Sequence, residues 1–467
     1  MKAGRVQSKY ICESGRLNSD FHLTQGVIYD RQFRLRDHYT LKEVTSDIFC
    51  AGRSKRIYVG EKHGIPYLGN TDILSSSPLV GCKYASAKFW NEKKGFLSEG
   101  MILTGRVGQN TVGSYTFASR EISGCLGSDN VIRIIPNGKV KTGFLYSFLA
   151  SRYGFHLSRR HISGNAQPFV TEEMLAGIPI PRFEDDKQQV IHDLTTKAWQ
   201  NRDEANLKIR EATEFYHQEL SLSKSLLNKL SQPLERNIAN TFKVSVSNNL
   251  FHTFRARNFS PRKGEIISFL KTGKYDTLKD VLMCDPHYGA RYKRIEATSK
   301  KSVELLSQGD LFSFNPKGKY ISAKHIKNIT EESVAKGTIL IPGQGTLGEN
   351  EIFSRAKFVW GYLEGKVIAG HAMRFIPNIN RIDSGYLFAV LNSPFWFRLF
   401  RNTVYGTNLL GYIVPLLNEL PVPRLEPASE LQIGEMMKIA YDKLTIANKL
   451  ENKAFAILQN EIESWQE

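Results

Sequence analysis

Thr142-Gly143-Phe144-Leu145-Tyr146-Ser147-Phe148-Leu149-Ala150-Ser151 has a second version in Ser384-Gly385-Tyr386-Leu387-Phe388-Ala389-Val390-Leu391-Asn392-Ser393, and this echo decides how the chain is built. Working outward, Ile178-Pro179-Ile180-Pro181-Arg182-Phe183 is matched by Leu420-Pro421-Val422-Pro423-Arg424-Leu425, and Gly100-Met101-Ile102-Leu103 by Gly337-Thr338-Ile339-Leu340. Upstream, Thr40-Leu41-Lys42-Glu43-Val44 matches Thr277-Leu278-Lys279-Asp280-Val281 at the spacing of 237 that relates Ile102 to Ile339. The spacing reaches 242 by Thr142 and Ser384, so the second copy carries a small insertion. A period this long means duplicated domains rather than a solenoid of short repeats.

The 467 residues, 41% hydrophobic and 23% charged, suit two or three ordinary globular domains with real cores. The formal charge is +17, and its distribution says more than its size. Residues 1–183 hold 25 Lys and Arg against 14 Asp and Glu, and residues 232–426 hold 27 against 16, whereas the stretches 184–231 and 427–467 together hold 11 against 16. Two matching basic units joined by acidic connectors are the footprint of two contacts to one polyanion. The alternative is a generally basic soluble protein.

Cys12, Cys50, Cys82, Cys125 and Cys284 form an odd set with no C-x-x-C pair, which points to neither a disulfide framework nor a structural zinc site. Reduced thiols and a cytoplasmic protein are expected. The N-terminal residues lack an apolar signal core, and the longest apolar run, from Gly385 to Phe400, is broken by Asn392, Ser393 and Pro394, so no membrane segment is expected.

The connectors read as long helices. Ile191, Leu194, Ala198, Ala205, Ile209, Ala212, Tyr216 and Leu220 form one stripe, with few Gly or Pro before Pro233, and Met437, Ala440, Leu444, Ala447, Ala454, Leu458 and Trp465 form the other. Stripes of about forty residues predict a coiled-coil seam, and two such helices in one chain would most simply pack antiparallel. Acidic residues fall in their first turns, Glu184, Asp185 and Asp186 in one and Glu426 and Glu430 in the other, where the helix dipole favours them.

The globular copies read as mixed α/β domains of the α+β kind, in tandem. Val131–Pro136 and Ala372–Pro377 are short, branched or aromatic and end at proline, which predicts strands. The Gly-rich stretches Gly105–Gly113 and Gly343–Gly348 lack the Lys-Ser/Thr ending of a P-loop and the strand-to-helix setting of a dinucleotide fingerprint. They read as tight turns beside a nucleic-acid face.

Tandem basic domains, each closed by a Pro-x-Pro segment and followed by a long helix, resemble the specificity (S) subunit of type I restriction-modification systems. The matching pieces are the two Thr-Leu-Lys-Glu/Asp-Val starts, the two Pro-x-Pro closures, Ile65-Pro66-Tyr67-Leu68-Gly69-Asn70-Thr71-Asp72-Ile73, and the opening Arg16-Leu17-Asn18-Ser19-Asp20-Phe21. In the second copy Gln308-Gly309-Asp310-Leu311 keeps only the Asp-apolar end of the third pattern.

The resemblance implies a first target-recognition domain within 1–183, a central helix 184–231, a second target-recognition domain 232–426 and a C-terminal helix 427–467. It implies double-stranded DNA as ligand, read as two unlike half-sites, with the helices acting as a ruler and as docking surface for two methyltransferase subunits. A restriction or motor subunit would join them. S-adenosylmethionine would sit on the methyltransferases, which flip out adenine to methylate it, and this chain would hold no cofactor or metal and catalyse nothing. The chain agrees in lacking an N/D-P-P-Y/F motif: Asn315-Pro316-Lys317 and Asp285-Pro286-His287 have no second proline. Two other readings stay open, a stand-alone nucleic-acid-binding adaptor and a nucleic-acid enzyme with an unfamiliar site.

Candidate base readers are Arg, Lys, Gln and Asn near aromatics, because bidentate pairs with guanine and adenine carry sequence information. In the first copy they are Arg53, Lys55, Arg56 and Tyr58, with Arg106, Gln109, Asn110, Arg159, Arg160 and Asn165 behind them. In the second they are Arg291, Tyr292, Lys293 and Arg294, with Gln344, Arg398, Arg401 and Asn408. The leading clusters follow their domain starts at similar places yet differ in sequence, which fits unlike half-sites.

Overall fold

The computed structural model describes residues 5–15, 17, 19–86, 88, 92–160, 162, 168–232, 241–244, 253–297 and 302–465. Two compact units emerge, Met1–Asp203 with Ile446–Glu467, and Glu204–Thr445. The division between the units falls within the long helices, after Asp203 and after Thr445. Each helix half packs against a globular copy, and so belongs to it.

In the first unit, β1 (His38–Thr40) pairs antiparallel with β10 (Pro179–Pro181), so the Thr-Leu-Lys start lies against the Pro-x-Pro closure. Proline cannot donate to a ladder, which keeps this a two-stranded edge. The start is locked by a capping box in which Glu43 Oε2 accepts from Thr40 N at 2.6 Å and Thr40 Oγ1 at 2.8 Å. The first four-stranded sheet comprises β2 (Thr45–Cys50), β6 (Ile102–Gly105), β7 (Tyr115–Phe117) and β9 (Val131–Pro136), in the order β2-β9-β6-β7, all antiparallel. The second holds β3 (Tyr58–Val59), β4 (Ile65–Leu68), β5 (Lys83–Ala85) and β8 (Leu126–Gly127), ordered β3-β5-β4-β8 with β4 and β8 parallel. Leu68, Ile73, Leu97, Leu103 and Val131 form its core. The helix Thr142–Ala150 is apolar on every face and buries Phe144, Leu145, Tyr146, Phe148 and Leu149 completely.

The second unit repeats the plan. Its β11 (Tyr275–Thr277) pairs with the closing β21 (Pro421–Pro423), and Asp280 Oδ2 accepts from Thr277 N at 3.1 Å and Oγ1 at 2.6 Å. β12 (His287–Tyr288), β18 (Ala372–Phe375), β15 (Ile339–Pro342) and β16 (Lys357–Phe358) make the four-stranded sheet, and β14 (Lys319–Ser322), β13 (Ser302–Leu306) and β17 (Val367–Ile368) the smaller one. A hairpin, β19 (Val404–Tyr405) with β20 (Gly411–Tyr412), follows the buried helices Ser384–Asn392 and Pro394–Arg401. The insertion lies in the Gly-rich loop: the spacing is 237 at Ile102 and Ile339 but already 241 at Phe117 and Phe358, their partners across β6–β7 and β15–β16.

A buried arginine at the same place in both units bonds to backbone carbonyls beside its sheet, in the first unit bridging to the second sheet through Gly127. Arg133 on β9 stands opposite Leu103 and is wholly buried, donating to the carbonyls of Gly127 at 2.6 Å, Val131 at 2.7 Å, Gly95 at 3.1 Å and Ser128 at 3.2 Å. Arg374 on β18 stands opposite Leu340 and donates to the carbonyls of Glu331 at 2.8 Å and Glu332 at 2.9 Å. Burial pulls the Arg133 guanidinium down to about 10, still charged at neutral pH.

The expected long helices span Asp185–Glu219 and Pro427–Ser464. Ile191, Ala198, Ala205 and Ala212 are fully buried at intervals of seven, as are Ile433, Ala440, Ala447 and Ala454. A seven-residue repeat with alanine at the seam is coiled-coil packing with close backbone approach. In the first unit Lys187 pairs with Glu461 and Arg202 with Glu451; in the second, Glu204 pairs with Lys443 and Glu219 accepts from Ser429. Within each unit the helices thus run antiparallel. The central helix stops at Glu219, short of the expected 231. Ser221 takes a left-handed φ of 52°, and Ser223 Oγ caps a separate helix, Lys224–Ser231, by accepting from Leu226 N at 3.1 Å. Pro233 lies outside the described residues. Among the described residues no helix is long and apolar enough to cross a membrane.

Candidate nucleic-acid interface

In the first unit Arg53, Lys55, Arg56 and Tyr58 are exposed on the segment that leads from β2 into β3. Arg56 forms an ion pair with Asp129, and Arg106 N donates to the Asn130 carbonyl at 2.7 Å, so one turn receives both the leading cluster and the Gly-rich loop. The Tyr58 ring meets Tyr67 edge-on at 5.9 Å, and Lys83 Nζ lies 4.8 Å from its centre. Burial pulls the Arg56 guanidinium down, but Tyr67, Asp129 and Tyr58 outweigh it, and the net shift is upward. Gln109 and Asn110 are exposed on the loop, and Arg106 is half-buried at its base.

Arg159 braces this loop from the helix Arg152–Ser158. Its Nη1 donates to the carbonyls of Gln109 at 2.9 Å and Val112 at 3.1 Å, its Nη2 to Gln109 Oε1 at 3.1 Å, and its guanidinium lies 5.1 Å from the Phe155 ring centre. Arg401, at the same place in the second copy, donates to the carbonyls of Leu347 and Gly348 at 2.9 Å and of Phe353 at 3.2 Å, and lies 3.8 Å from Phe397. Arg159 and Phe155 are each 242 residues before Arg401 and Phe397. The duplication has copied the loop brace together with the domain. A guanidinium presents several donors in one plane and can satisfy loop carbonyls that no ladder reaches.

With Arg159, five candidates make scaffold contacts. Arg401 is 5% exposed and committed to the loop, and burial pulls its guanidinium down to about 10. Arg160, also 5% exposed, donates to the Leu157 carbonyl at 2.8 Å and lies 3.2 Å from Asp30. Arg398 chelates Glu349 at 2.8 and 2.7 Å and donates to the Ser231 carbonyl at 2.7 Å. Tyr292 packs against the Leu305 and Ile321 cluster, and burial raises its phenol. The three arginines face inward because the fold supplies a nearer acceptor than solvent, and Tyr292 because its ring packs on an apolar cluster. Asn165 lies outside the described residues.

Arg291, Lys293 and Arg294 are exposed in the segment after β12, and Asn408 is exposed at the tip of the β19–β20 hairpin. Gln344 is half-buried. The structure brings these pieces together. Tyr288 Oη donates to the Gly343 carbonyl at 2.9 Å, and a Cβ on Gly343 would stand 2.1 Å from the Tyr288 ring, so the ring packs on the bare backbone there. The next turn of the loop bridges to the hairpin, where Leu410 N donates to the Gly345 carbonyl at 3.0 Å. Segment, loop and hairpin thus form one face of the second unit. Among the described residues no group of three or more His, Cys, Asp and Glu is placed to hold a metal ion.

No protein-family model and no curated protein matches the chain. Solved structures do. The chain is similar to type I specificity subunits. One is the S subunit of a type I restriction-modification system from M. genitalium, at 12% identity over 91% of this chain and 94% of that one, with a TM-score of 0.37. A second is the HsdS subunit from Thermoanaerobacter tengcongensis, at 11% identity over 91% and 95%, with a TM-score of 0.27. A third comes from work on complex assembly and conformational transition of the type I R-M system, at 11% identity over 92% and 95%, with a TM-score of 0.25.

Sequence reading missed one pair of positioning residues. Asn70 Nδ2 donates to the Val107 carbonyl at 2.9 Å, and Gln308 Nε2 donates to the Gln344 carbonyl at the same distance, so each Gly-rich loop hangs on a side-chain amide. Two residues on, Asp72 Oδ2 accepts from Gly69 N and Asp310 Oδ2 from Ser307 N, both at 2.8 Å. The signal was present as Asn-x-Asp against Gln-x-Asp, and the apparent departure of the second copy keeps the chemistry that matters.

Proposed function

We propose that this chain is the DNA sequence-specificity subunit of a type I restriction-modification complex. One observation carries the reading: the two units share their start-to-closure pairing, loop brace, amide hook and buried arginine, while their exposed segments differ, Arg53-Ser54-Lys55-Arg56 in one and Arg291-Tyr292-Lys293-Arg294 in the other. A common scaffold that displays unlike basic, donor-rich segments is what reading two unlike DNA half-sites requires. The charge of +17 supplies the sequence-independent affinity for phosphate.

In this reading Arg53, Lys55, Arg56, Arg106, Gln109 and Asn110 serve the first half-site, and Arg291, Lys293, Arg294, Gln344 and Asn408 the second. The antiparallel helices set the spacer between half-sites and dock two adenine methyltransferase subunits. Those partners carry S-adenosylmethionine and the chemistry, a restriction subunit joins them, and this chain is not catalytic. The complex works in the cytoplasm.

A domain exchange tests this. Residues 38–181, bounded by the β1–β10 pair, are replaced by the matching segment of a related specificity subunit, and methylated sites are sequenced from cells that also carry the methyltransferase. One half of the methylated sequence changes and the other persists. Change in both halves would refute independent readers, and specific DNA binding by a chain that assembles with no methyltransferase would make it a stand-alone adaptor.

A further inference from the structure

The β19–β20 hairpin of the second unit carries Gly406-Thr407-Asn408-Leu409 at its tip, where Leu409 is 63% exposed and the flanking Tyr405 52%. A large apolar side chain held in water contributes nothing to the fold, yet its support is extensive. Gly406 takes a φ of 95°, a left-handed turn that suits glycine, and Arg255 Nη1 donates to its carbonyl at 2.9 Å. The buried Asn258 donates from Nδ2 to the carbonyls of Asn402 at 2.7 Å and Val404 at 3.2 Å, clamping the hairpin base. Leu410, one residue beyond the tip, is tied to Gly345. The tip is therefore an apolar point on a stiff mount beside the Gly-rich loop, which Tyr288 of β12 also reaches.

We propose that Leu409 is a wedge that enters a DNA groove and partly unstacks one base-pair step of the second half-site. This rests on the DNA-reading function proposed above. Charge selects the occupant: Arg255 sits on the hairpin's Gly406 carbonyl, and the Gly-rich loop that holds the hairpin also holds Tyr288, three residues before the exposed Arg291, Lys293 and Arg294, and these cations favour a polyanion over an apolar protein groove. Apolar wedges open base steps at a deformation cost that depends on the step, cheapest at pyrimidine–purine steps. Leu409 would thereby add sequence preference at a position where no hydrogen bond is made, and Asn408 next to it would read the adjoining base edge.

The test uses the full chain and a duplex obtained by in vitro selection on that chain, with 2-aminopurine placed at successive positions of each half-site. Binding of the unaltered protein raises fluorescence several-fold at one step of the second half-site. Leu409→Ala and Leu409→Ser abolish the rise, Leu409→Phe retains it, and the salt dependence of binding stays the same because no charge is altered. An exposed position leaves folding intact, which thermal unfolding of each variant checks. Binding without unstacking at any position, or unstacking that survives Leu409→Ser, overturns the wedge and leaves the DNA-reading function standing. Failure of the unaltered chain to bind any selected duplex overturns both.

Discussion

Arg202 and Glu451 face each other across the two long helices of the first unit as a bidentate pair, with Nη1–Oε1 at 3.1 Å and Nη2–Oε2 at 2.9 Å. Their side chains are 4% and 0% exposed, Tyr146 Oη donates to Glu451 Oε1 at 2.8 Å, and Asn448 Oδ1 accepts from Arg202 at 3.1 Å. An alanine seam is permissive about sliding by one heptad, whereas a buried ion pair is satisfied in one register only. Glu451→Leu leaves the Arg202 charge buried without its partner and lowers stability by about 3–5 kcal/mol, while Arg202→Met with Glu451→Leu recovers most of that loss. Urea unfolding of the two variants distinguishes them, and equal destabilisation would mean the pair is not what the helices depend on.

The loop brace makes a second prediction. Arg401→Lys keeps the charge but cannot fork to the carbonyls of Leu347, Gly348 and Phe353, so it behaves nearly as badly as Arg401→Ala, each costing about 2–4 kcal/mol. Amide exchange should quicken in residues 345–354 before it does in the sheet. Full protection in the lysine variant would show that charge alone holds the loop.

Among the exposed cations, Arg294 is better placed than Arg56 to report base reading, because Arg56 is engaged with Asp129. Arg294→Ala relaxes preference at one base pair of the second half-site by about 1–3 kcal/mol and leaves the first half-site untouched. Selection of binding sites from random duplexes shows this directly. A uniform loss on all sequences, with a salt slope smaller by about one, would place Arg294 on phosphate instead.

His217, near the end of the central helix, is buried against Phe395 and Tyr216, and its Nε2 meets no hydrogen-bond partner among the described residues. Burial lowers its pKa from 6.5 to about 4. Above the unfolded value both states are neutral and the residue contributes no pH dependence. Between about 6.5 and 4 the unfolded chain takes up a proton that the folded chain refuses, so stability falls as pH falls, by roughly 3 kcal/mol in all. His217→Phe removes this component, and the gap between variant and unaltered protein in urea midpoints should widen from pH 7 to pH 4.5. Parallel pH profiles would place His217 in contact with water.

The sequence by itself determined the duplication, the starts and closures of the copies, a strand at 131–136, another from 372 that the structure ends at Phe375 rather than Pro377, and the heptad seam of the helices, because each is written in local spacing that any fold of this chain must respect. It also showed that the basic residues gather in two units. Only the tertiary structure decided which of them face solvent. Arg159 and Arg401 look in sequence like Arg56 and Arg294, since a guanidinium carries no mark of whether its nearest acceptor is water or a loop carbonyl brought close from fifty residues away. The halt of the central helix at Glu219 was equally hidden, because Leu222, Leu226 and Leu230 continue an apolar pattern that the left-handed Ser221 redirects into a second helix. The partition of each long helix between two units lies still further from the sequence, because a continuous stripe records that a face is covered but not by which domain.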